Sequence, residues 1–265
     1  MFTYYTIIGR DLKLLKGHVE NIKHYAGFDS IPGEKEFLAI VYKNDSIPTE
    51  VTENILSYCE KKNVRTVLYV ENKPTFIENL YECWNLGYEH SKDGLVFRGG
   101  SDQFFSQNSF VNIYNAALQS NVGKEKVVLQ AQTIESMRAT VSRHIKRDFG
   151  LTFETFREPE FKSLCEQLIK QGQKQLLKVT EAVNIWGHPT PFSSSLGTIN
   201  RSDGCSWLVH KKDWEAHGPH PVFEGNHTGD VILLDRFTKA GYKDYIVNDC
   251  ITYHFVRGES NHFYE

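Results

Sequence analysis

The chain has 265 residues, the size of one large domain or two small ones. Its 40% hydrophobic and 24% charged residues are typical of a globular protein and exclude a disordered, collagen-like or repeat-dominated chain. The 30 Lys and Arg residues and the 33 Asp and Glu residues give a net charge of −3. The protein therefore has no global positive field, which argues against nucleic acid as a partner.

The N-terminus and the cysteines indicate where the protein works. Residues 1–9 lack the basic region and the small-residue cleavage site of a signal peptide, and they predict a strand. No window of 18 apolar residues exists, so we expect no transmembrane segment. The five cysteines are odd in number and widely spaced, which favours a reduced, cytoplasmic location and argues against a structural zinc site.

Predicted strands and helices alternate through the first 130 residues. The predicted strands are Thr3–Ile8, Phe37–Tyr42, Val64–Val70, Leu95–Phe97 and Val127–Leu129. Helical spacing covers residues 12–22, 51–59, 75–84 and 110–118. This alternation predicts βαβ units and a parallel sheet, whose ligands bind beyond the carboxyl ends of the strands.

The second half predicts more helix before the strands return. Residues 133–183 are mostly of helical pattern, and a loop-rich stretch follows over 188–204. Strands are then predicted at Cys205–His210 and Tyr245–Phe255, with a helix from Val231 to Phe237 that ends near Gly241. No low-complexity linker divides the chain, so we expect a single α/β domain over residues 1–265 with a helical insertion.

The segment from Asn85 to Asp102 carries the most specific motif. Asn85-Leu86-Gly87 on a predicted helix leads to a buried strand and then to Gly100-Ser101-Asp102. This segment resembles the family 2 glycosyltransferases, which have the nucleotide-sugar-binding GT-A fold and a strand that ends in Asp-x-Asp. Gly100 replaces the first Asp, and Asp102 occupies the second position, which in the family contacts the metal ion on the donor diphosphate. Without the resemblance, the same residues also fit a glycine-rich turn whose Asp caps a helix.

The chemistry of diphosphate release explains why such a site needs a carboxylate such as that of Asp102. A diphosphate leaving group needs a hard cation, and that cation binds carboxylate oxygens held at a strand end. The glycines allow the backbone to approach a phosphate closely.

Three C-terminal segments extend the resemblance. Residues 204–214 resemble the family's strand that closes the site, and 225–236 resemble the helix whose start carries the catalytic base, here Asp230. Residues 251–260 resemble the strand where a His completes the metal shell, which implies His254 as a ligand of Mn²⁺ or Mg²⁺. Arg257 would then contact the diphosphate. Asp230 also fits a plain helix cap, His254 a packed strand residue and Arg257 a solvated side chain.

The resemblance also implies donor and acceptor residues. Residues 7–15 resemble the family's opening, in which the first strand turns over the nucleotide; Tyr42 would stack on the base, and Asn44 or Asp45 would contact its edge. The donor-binding set is Gly9, Arg10, Tyr42, Asn44, Asp45, Asn85, Gly100, Ser101 and Arg257. The acceptor-binding set is Trp207, His220, Glu224 and His227.

Taken together, the resemblance implies a GT-A-type, Rossmann-like and mostly parallel sheet flanked by helices, with a nucleotide-binding half over 1–130 and an acceptor-binding half over 131–265. It implies an inverting, metal-dependent hexosyltransferase that uses a UDP- or GDP-sugar and a glycan or other hydroxyl acceptor. Three alternatives stay open: a glycosyltransferase acting on modified DNA bases, a nucleotidyltransferase on a related sheet, and a non-catalytic nucleotide- or glycan-binding module.

Overall fold

A computed structural model describes residues 1–9, 12–136, 158–159, 163, 177–179, 206–221, 223–224 and 227–254. The helices are α1 Leu12–Glu20, α2 Thr49–Lys61, α3 Phe76–His90, α4 Ser109–Gln119, α5 Lys211–His217 and α6 Gly229–Lys239. The strands are β1 Phe2–Ile8, β2 Lys35–Lys43, β3 Arg65–Val70, β4 Leu95–Arg98, β5 Gln103–Phe105, β6 Val127–Ser136, β7 Leu177–Val179, β8 Trp207–His210, β9 Phe223–Glu224, β10 His227–Thr228 and β11 Lys243–His254.

One large sheet organises the described part of the chain. Eight of its strands follow the order β3-β2-β1-β4-β8-β6-β11-β5, and β7 pairs with β6 beside this path. Strands β3, β2, β1 and β4 are mutually parallel, so their carboxyl ends lie at one edge. This part confirms the predicted alternation of strands and helices. Because the strands and helices alternate, the helices pack on both faces of the sheet and form an α/β architecture.

The other half of the sheet is mixed. Strand β8 lies antiparallel between β4 and β6. Strand β11 runs parallel to β6 on one side and antiparallel to β5 on the other. A strand from near the C-terminus thus lies beside the short β5, directly after the turn that follows β4.

Two predictions of local structure differ from the structure. Residues 133–136 belong to β6, and residues 177–179 form β7, where a helix was expected, because both segments pair across the sheet with sequence-distant strands. The predicted turn after β4 leads into the unpredicted strand β5. By contrast, the strand predicted over Cys205–His210 is confirmed as β8, which ends at His210; the ring of His210 accepts a hydrogen bond from the Lys212 amide and so caps α5. The remaining predictions for 137–205 lie largely outside the described residues.

Aromatic side chains fill both faces of the sheet. On one face Phe110 packs edge-on against Tyr4, Phe97 and Phe105, with ring centroids 4.9, 5.2 and 5.1 Å away. On the other face Tyr88 stacks on Trp214 with centroids 4.8 Å apart. Each buried aromatic ring of this kind contributes on the order of 2 kcal/mol by removal from water.

The Asn-Leu-Gly motif has a packing reason in this fold. A Cβ atom at Gly87 would lie 2.1 Å from the ring of Tyr5, so only glycine lets α3 approach β1 this closely. The motif thus sets the distance between a helix and the first strand.

None of the helices that the structure describes combines the length and the apolar character needed to cross a bilayer.

A buried carboxyl on β11 gives the first testable prediction. Asp244 is 2% exposed, and its Oδ1 accepts a hydrogen bond of 2.8 Å from Gln130 Nε2, whereas Gln130 Oε1 has no partner within the described part of the chain. Burial raises the pKa of Asp244 from 3.8 to about 8. Between these values the folded state binds a proton that the unfolded state releases, so the free energy of unfolding falls as the pH rises from about 4 to about 8.

Asp244→Asn is therefore expected to stabilise the protein at pH 8, on the order of 3 kcal/mol, and to have almost no such effect at pH 4. The new amide is neutral, and it can donate to Gln130 Oε1. Urea unfolding at the two pH values measures the difference. Asp235→Asn, at an exposed carboxylate paired with Lys239, is the matched control and should change stability by less than about 0.5 kcal/mol. Equal effects of Asp244→Asn at both pH values would contradict a raised pKa.

Candidate active site

The turn after β4 lies at the carboxyl edge of the parallel strands. The Gly100 amide donates to Gln103 Oε1 over 2.6 Å, and the Gln103 amide donates to the Gly100 carbonyl over 3.2 Å. A Cβ atom at Gly100 would lie 2.7 Å from Asp102 Oδ1. A side chain at residue 100 would therefore require the Asp102 carboxylate to move.

Residue His18 fixes the far side of this turn. Its Nδ1–H donates to the Gln103 carbonyl over 2.8 Å, because a carbonyl can only accept, and its Nε2 then accepts from the Tyr4 hydroxyl over 3.0 Å. Burial lowers the pKa of His18 to about 4, against the weaker opposing effects of the Gln103 hydrogen bond and the Asp102 charge. The imidazole is neutral at physiological pH and holds the backbone next to Asp102.

The two residues predicted as metal ligands are brought close by the pairing of β11 with β5. In this antiparallel pair His254 is the register partner of Gln103, the residue that follows Asp102. The backbone of His254 therefore lies beside the end of the turn that carries Asp102. The preceding residue, Tyr253, donates from its hydroxyl to Glu158 Oε1 over 2.8 Å.

The residues predicted to bind the donor are distributed along the same edge and beyond it. Gly9 follows β1, and Ser101 is half-buried in the turn. Tyr42, near the end of β2, is 3% exposed and stacks on Tyr69 with centroids 6.0 Å apart. Asn44 Oδ1 accepts from the amide and the hydroxyl of Ser46, so it closes the turn before α2, and Asp45 beside it is exposed. Arg10 and Arg257 lie outside the described residues.

Asn85 bonds to a residue of the predicted acceptor set. Its Oδ1 accepts from the His220 amide over 2.9 Å and from His220 Nδ1 over 3.2 Å, and its Nδ2 donates to the His220 carbonyl over 3.2 Å. His220 is 3% exposed, and Trp207 is fully buried. The structure therefore places these three side chains inside the protein, behind the edge of the sheet.

The other acceptor-side residues follow in a short hairpin. Glu224 in β9 is the register partner of His227 in β10. Helix α6 begins at Gly229, so Asp230 is in its first turn, where free amides and the helix dipole favour a negative charge.

No protein-family model and no curated protein sequence matches the chain. Solved structures do match the fold of the chain. One is the mannosyltransferase of Pyrobaculum calidifontis with GDP-Man and Mn²⁺, with a TM-score of 0.52 and 12% sequence identity; the match covers 96% of this chain and 56% of that one. GalNAc-T7 with UDP, GalNAc and Mn²⁺ also matches (TM-score 0.59, 10% identity, 98% and 44%), as does TarS of S. aureus (TM-score 0.55, 9% identity, 96% and 36%).

The chain has a GT-A-type fold. At such low identity these similarities show the fold alone, and the chain spans about half or less of the length of the solved proteins that it matches.

Within the GT-A-type fold, several residues next to the turn were missed by sequence reasoning. His18 lies on the apolar face of α1, and Arg98 ends an otherwise apolar strand; a polar side chain in such a pattern was the available signal. Gln103 gave no signal, because its role depends on contacts with Gly100 and His18. Glu158 accepts from the hydroxyls of Tyr25 and Tyr253 and from the Gln107 amide, and no local pattern indicates these three partners.

Proposed function

We propose that the protein transfers a sugar from a nucleotide-sugar donor to an acceptor hydroxyl, with inversion at the anomeric carbon and with a divalent cation. The single observation that carries this proposal is the pairing of β5 with β11. It brings the backbone of His254 beside the turn of Asp102, at the edge where the carboxyl ends of four parallel strands meet. The similarity to nucleotide-sugar glycosyltransferase structures supports the same assignment.

The residues at this turn fit a hard divalent cation. Asp102 offers a partly exposed carboxylate, and an imidazole from His254 is a suitable second ligand for Mn²⁺. The described residues contain no cluster of three or more side chains that bind metals, so the remaining positions would be filled by the donor diphosphate and water, as is usual for Mg²⁺. When bound, the ion supplies positive charge to the departing diphosphate.

The remaining chemistry belongs to the residues of the chain. Asp230 accepts the proton of the acceptor hydroxyl while that oxygen attacks the anomeric carbon, and the bond from this carbon to the diphosphate breaks. One displacement of this kind inverts the configuration. Glu224, His227 and the segment around His220 would form the acceptor side, and Gly9, Tyr42 and Ser101 the donor side. A UDP- or GDP-sugar is the proposed donor, since the matched structures hold GDP-Man or UDP.

A thermal-shift panel tests the donor class. UDP-, GDP-, CMP- and dTDP-sugars are added with and without Mn²⁺, and the true donor raises the melting temperature because it binds only the folded state. The hit is then incubated with glycan acceptors, and the released nucleoside diphosphate is measured. Binding without any release would favour a non-catalytic module. Salt-sensitive binding of duplex DNA would favour a modified base as the acceptor.

A further inference from the structure

A buried arginine links the two sides of the site. Arg98 ends β4 immediately before Gly99–Asp102, which we call the metal-side turn. It is 1% exposed, and its guanidinium lies over the ring of Trp84 at 4.0 Å and near that of Trp207 at 5.1 Å. Its Nη1 donates to His220 Nε2 over 2.7 Å, while its Nε and Nη2 have no hydrogen-bond partner among the residues that the structure describes.

Within the described part of the chain, His220 supplies the hydrogen-bond acceptor for this buried cation. Removing an acceptor from a buried charged donor costs far more than the bond contributes, because the charge then lies in a medium that cannot solvate it. The Arg98 guanidinium therefore fixes the ring of His220.

The protonation of the ring is determined by its partners. Because Nε2 accepts from Arg98, the proton lies on Nδ1, which donates to Asn85 Oδ1. Burial and the charges of Arg98 and Arg236 keep the pKa of His220 well below its usual range, so the ring stays neutral. Asn85 also bonds to the backbone amide and carbonyl of His220 and holds the whole residue against α3.

His220 belongs to a loop that leads to the acceptor side. We call His217–Pro221 the acceptor-side loop; it precedes the β9–β10 hairpin and the start of α6. Helix α6 holds the same loop from the opposite side, since Arg236 Nη1 donates to the carbonyls of His217 and Pro219 over 3.2 and 3.1 Å.

We propose that Asn85, Arg98 and His220 form a positioning unit that fixes the acceptor-side loop relative to the metal-side turn. The three side chains come from α3, β4 and the loop, and they are 9%, 1% and 3% exposed, so they act on the site through the segments that they hold. Their effect on catalysis rests on the proposed function, because it consists in aligning the acceptor hydroxyl with the donor. A misplacement of about 1 Å lowers a rate by about a hundredfold.

His220→Phe tests the unit, because it keeps an aromatic ring but removes the acceptor for Arg98 and the donor for Asn85. His220→Gln keeps a carbonyl oxygen that can accept from Arg98. His217→Phe is the matched control: the same substitution in the same loop, at a ring that packs on Phe237 and Tyr242.

Amide hydrogen exchange is the readout that does not depend on activity. In His220→Phe we expect exchange at least tenfold faster both in peptides covering 217–221 and in those covering 99–103. His220→Gln should restore most of the protection, and His217→Phe should leave residues 99–103 unchanged. Faster exchange confined to 217–221 would show that the loop and the turn are not linked. Equally faster exchange in all peptides would show that His220 is an ordinary core residue. Either result overturns the proposal.

Kinetics separate this inference from the proposed function. If the protein is a glycosyltransferase, His220→Phe should lower kcat by about 10- to 100-fold, change the affinity for donor nucleotide less than about twofold, and be rescued in part by His220→Gln. Unchanged kcat with wild-type transfer present would overturn the role in positioning. If amide exchange in His220→Phe becomes faster in both 217–221 and 99–103 but the wild-type protein transfers no sugar, the positioning unit is upheld and the proposed function is refuted.

Discussion

Replacing Asp230 with Asn is expected to slow glycosyl transfer by at least about a hundredfold while the melting temperature stays close to that of the wild type. A positioned general base contributes about 10²–10⁴ in rate, and Asn cannot accept the proton of the acceptor hydroxyl. Asn loses only the interaction of the charge with the helix dipole, about 0.3–1 kcal/mol, so α6 should keep most of its stability. Initial rates at saturating donor and acceptor, together with a thermal melt, measure both effects.

Asp235→Asn on the same helix is the control, because this exposed carboxylate pairs with Lys239 at 2.6 Å, away from the helix start. Donor and metal binding should be normal in both variants. Normal turnover by a folded Asp230→Asn protein would show that Asp230 is only a helix residue. Glu224→Gln would then be the next variant to measure.

The second large effect is expected at the metal-side turn. Asp102→Ala should abolish the increase in nucleoside diphosphate affinity that Mn²⁺ produces in the wild type, an increase expected to be about tenfold or more. The reason is that Asp102 is the carboxylate of the turn, whereas Gly100 contributes no side chain. Titration calorimetry with UDP and GDP, with and without Mn²⁺, gives the four affinities needed.

Asp93→Ala removes an exposed carboxylate on the loop before β4 and should keep the full response to Mn²⁺. Equal responses of Asp102→Ala and the wild type would remove Asp102 from the metal shell. Loss of all nucleotide binding, with or without metal, would instead indicate a collapsed turn, which melting curves of the variant detect.

The metal-side turn shows how much local structure a contiguous sequence motif predicts. Asn85-Leu86-Gly87, the strand and Gly100–Asp102 follow one another, so their order along the chain already specifies a helix, a buried strand and a turn with one carboxylate. The packing reason for Gly87, namely the ring of Tyr5, is visible only in the fold. The roles of Asp102, Asp230 and His254 remain predictions.

Asn85 shows the opposite case. From the sequence it belongs to the donor set, but the fold engages its amide in three hydrogen bonds with His220. These bonds join α3 to the acceptor-side loop, and neither segment carries a pattern that indicates the other.

The sequence by itself determined the parallel half of the sheet and its helices, because alternating runs of apolar residues report local burial on one or both faces. Only the tertiary structure decided that residues 133–136 extend β6, that residues 103–105 form β5, and that His254 lies beside Gln103. Pairing between strands so distant in sequence depends on backbone hydrogen bonds, which any residue except proline can donate. Likewise, no pattern near Arg98 indicated that its buried charge would find an acceptor in His220, because the two side chains are 122 residues apart in sequence and meet only in the fold.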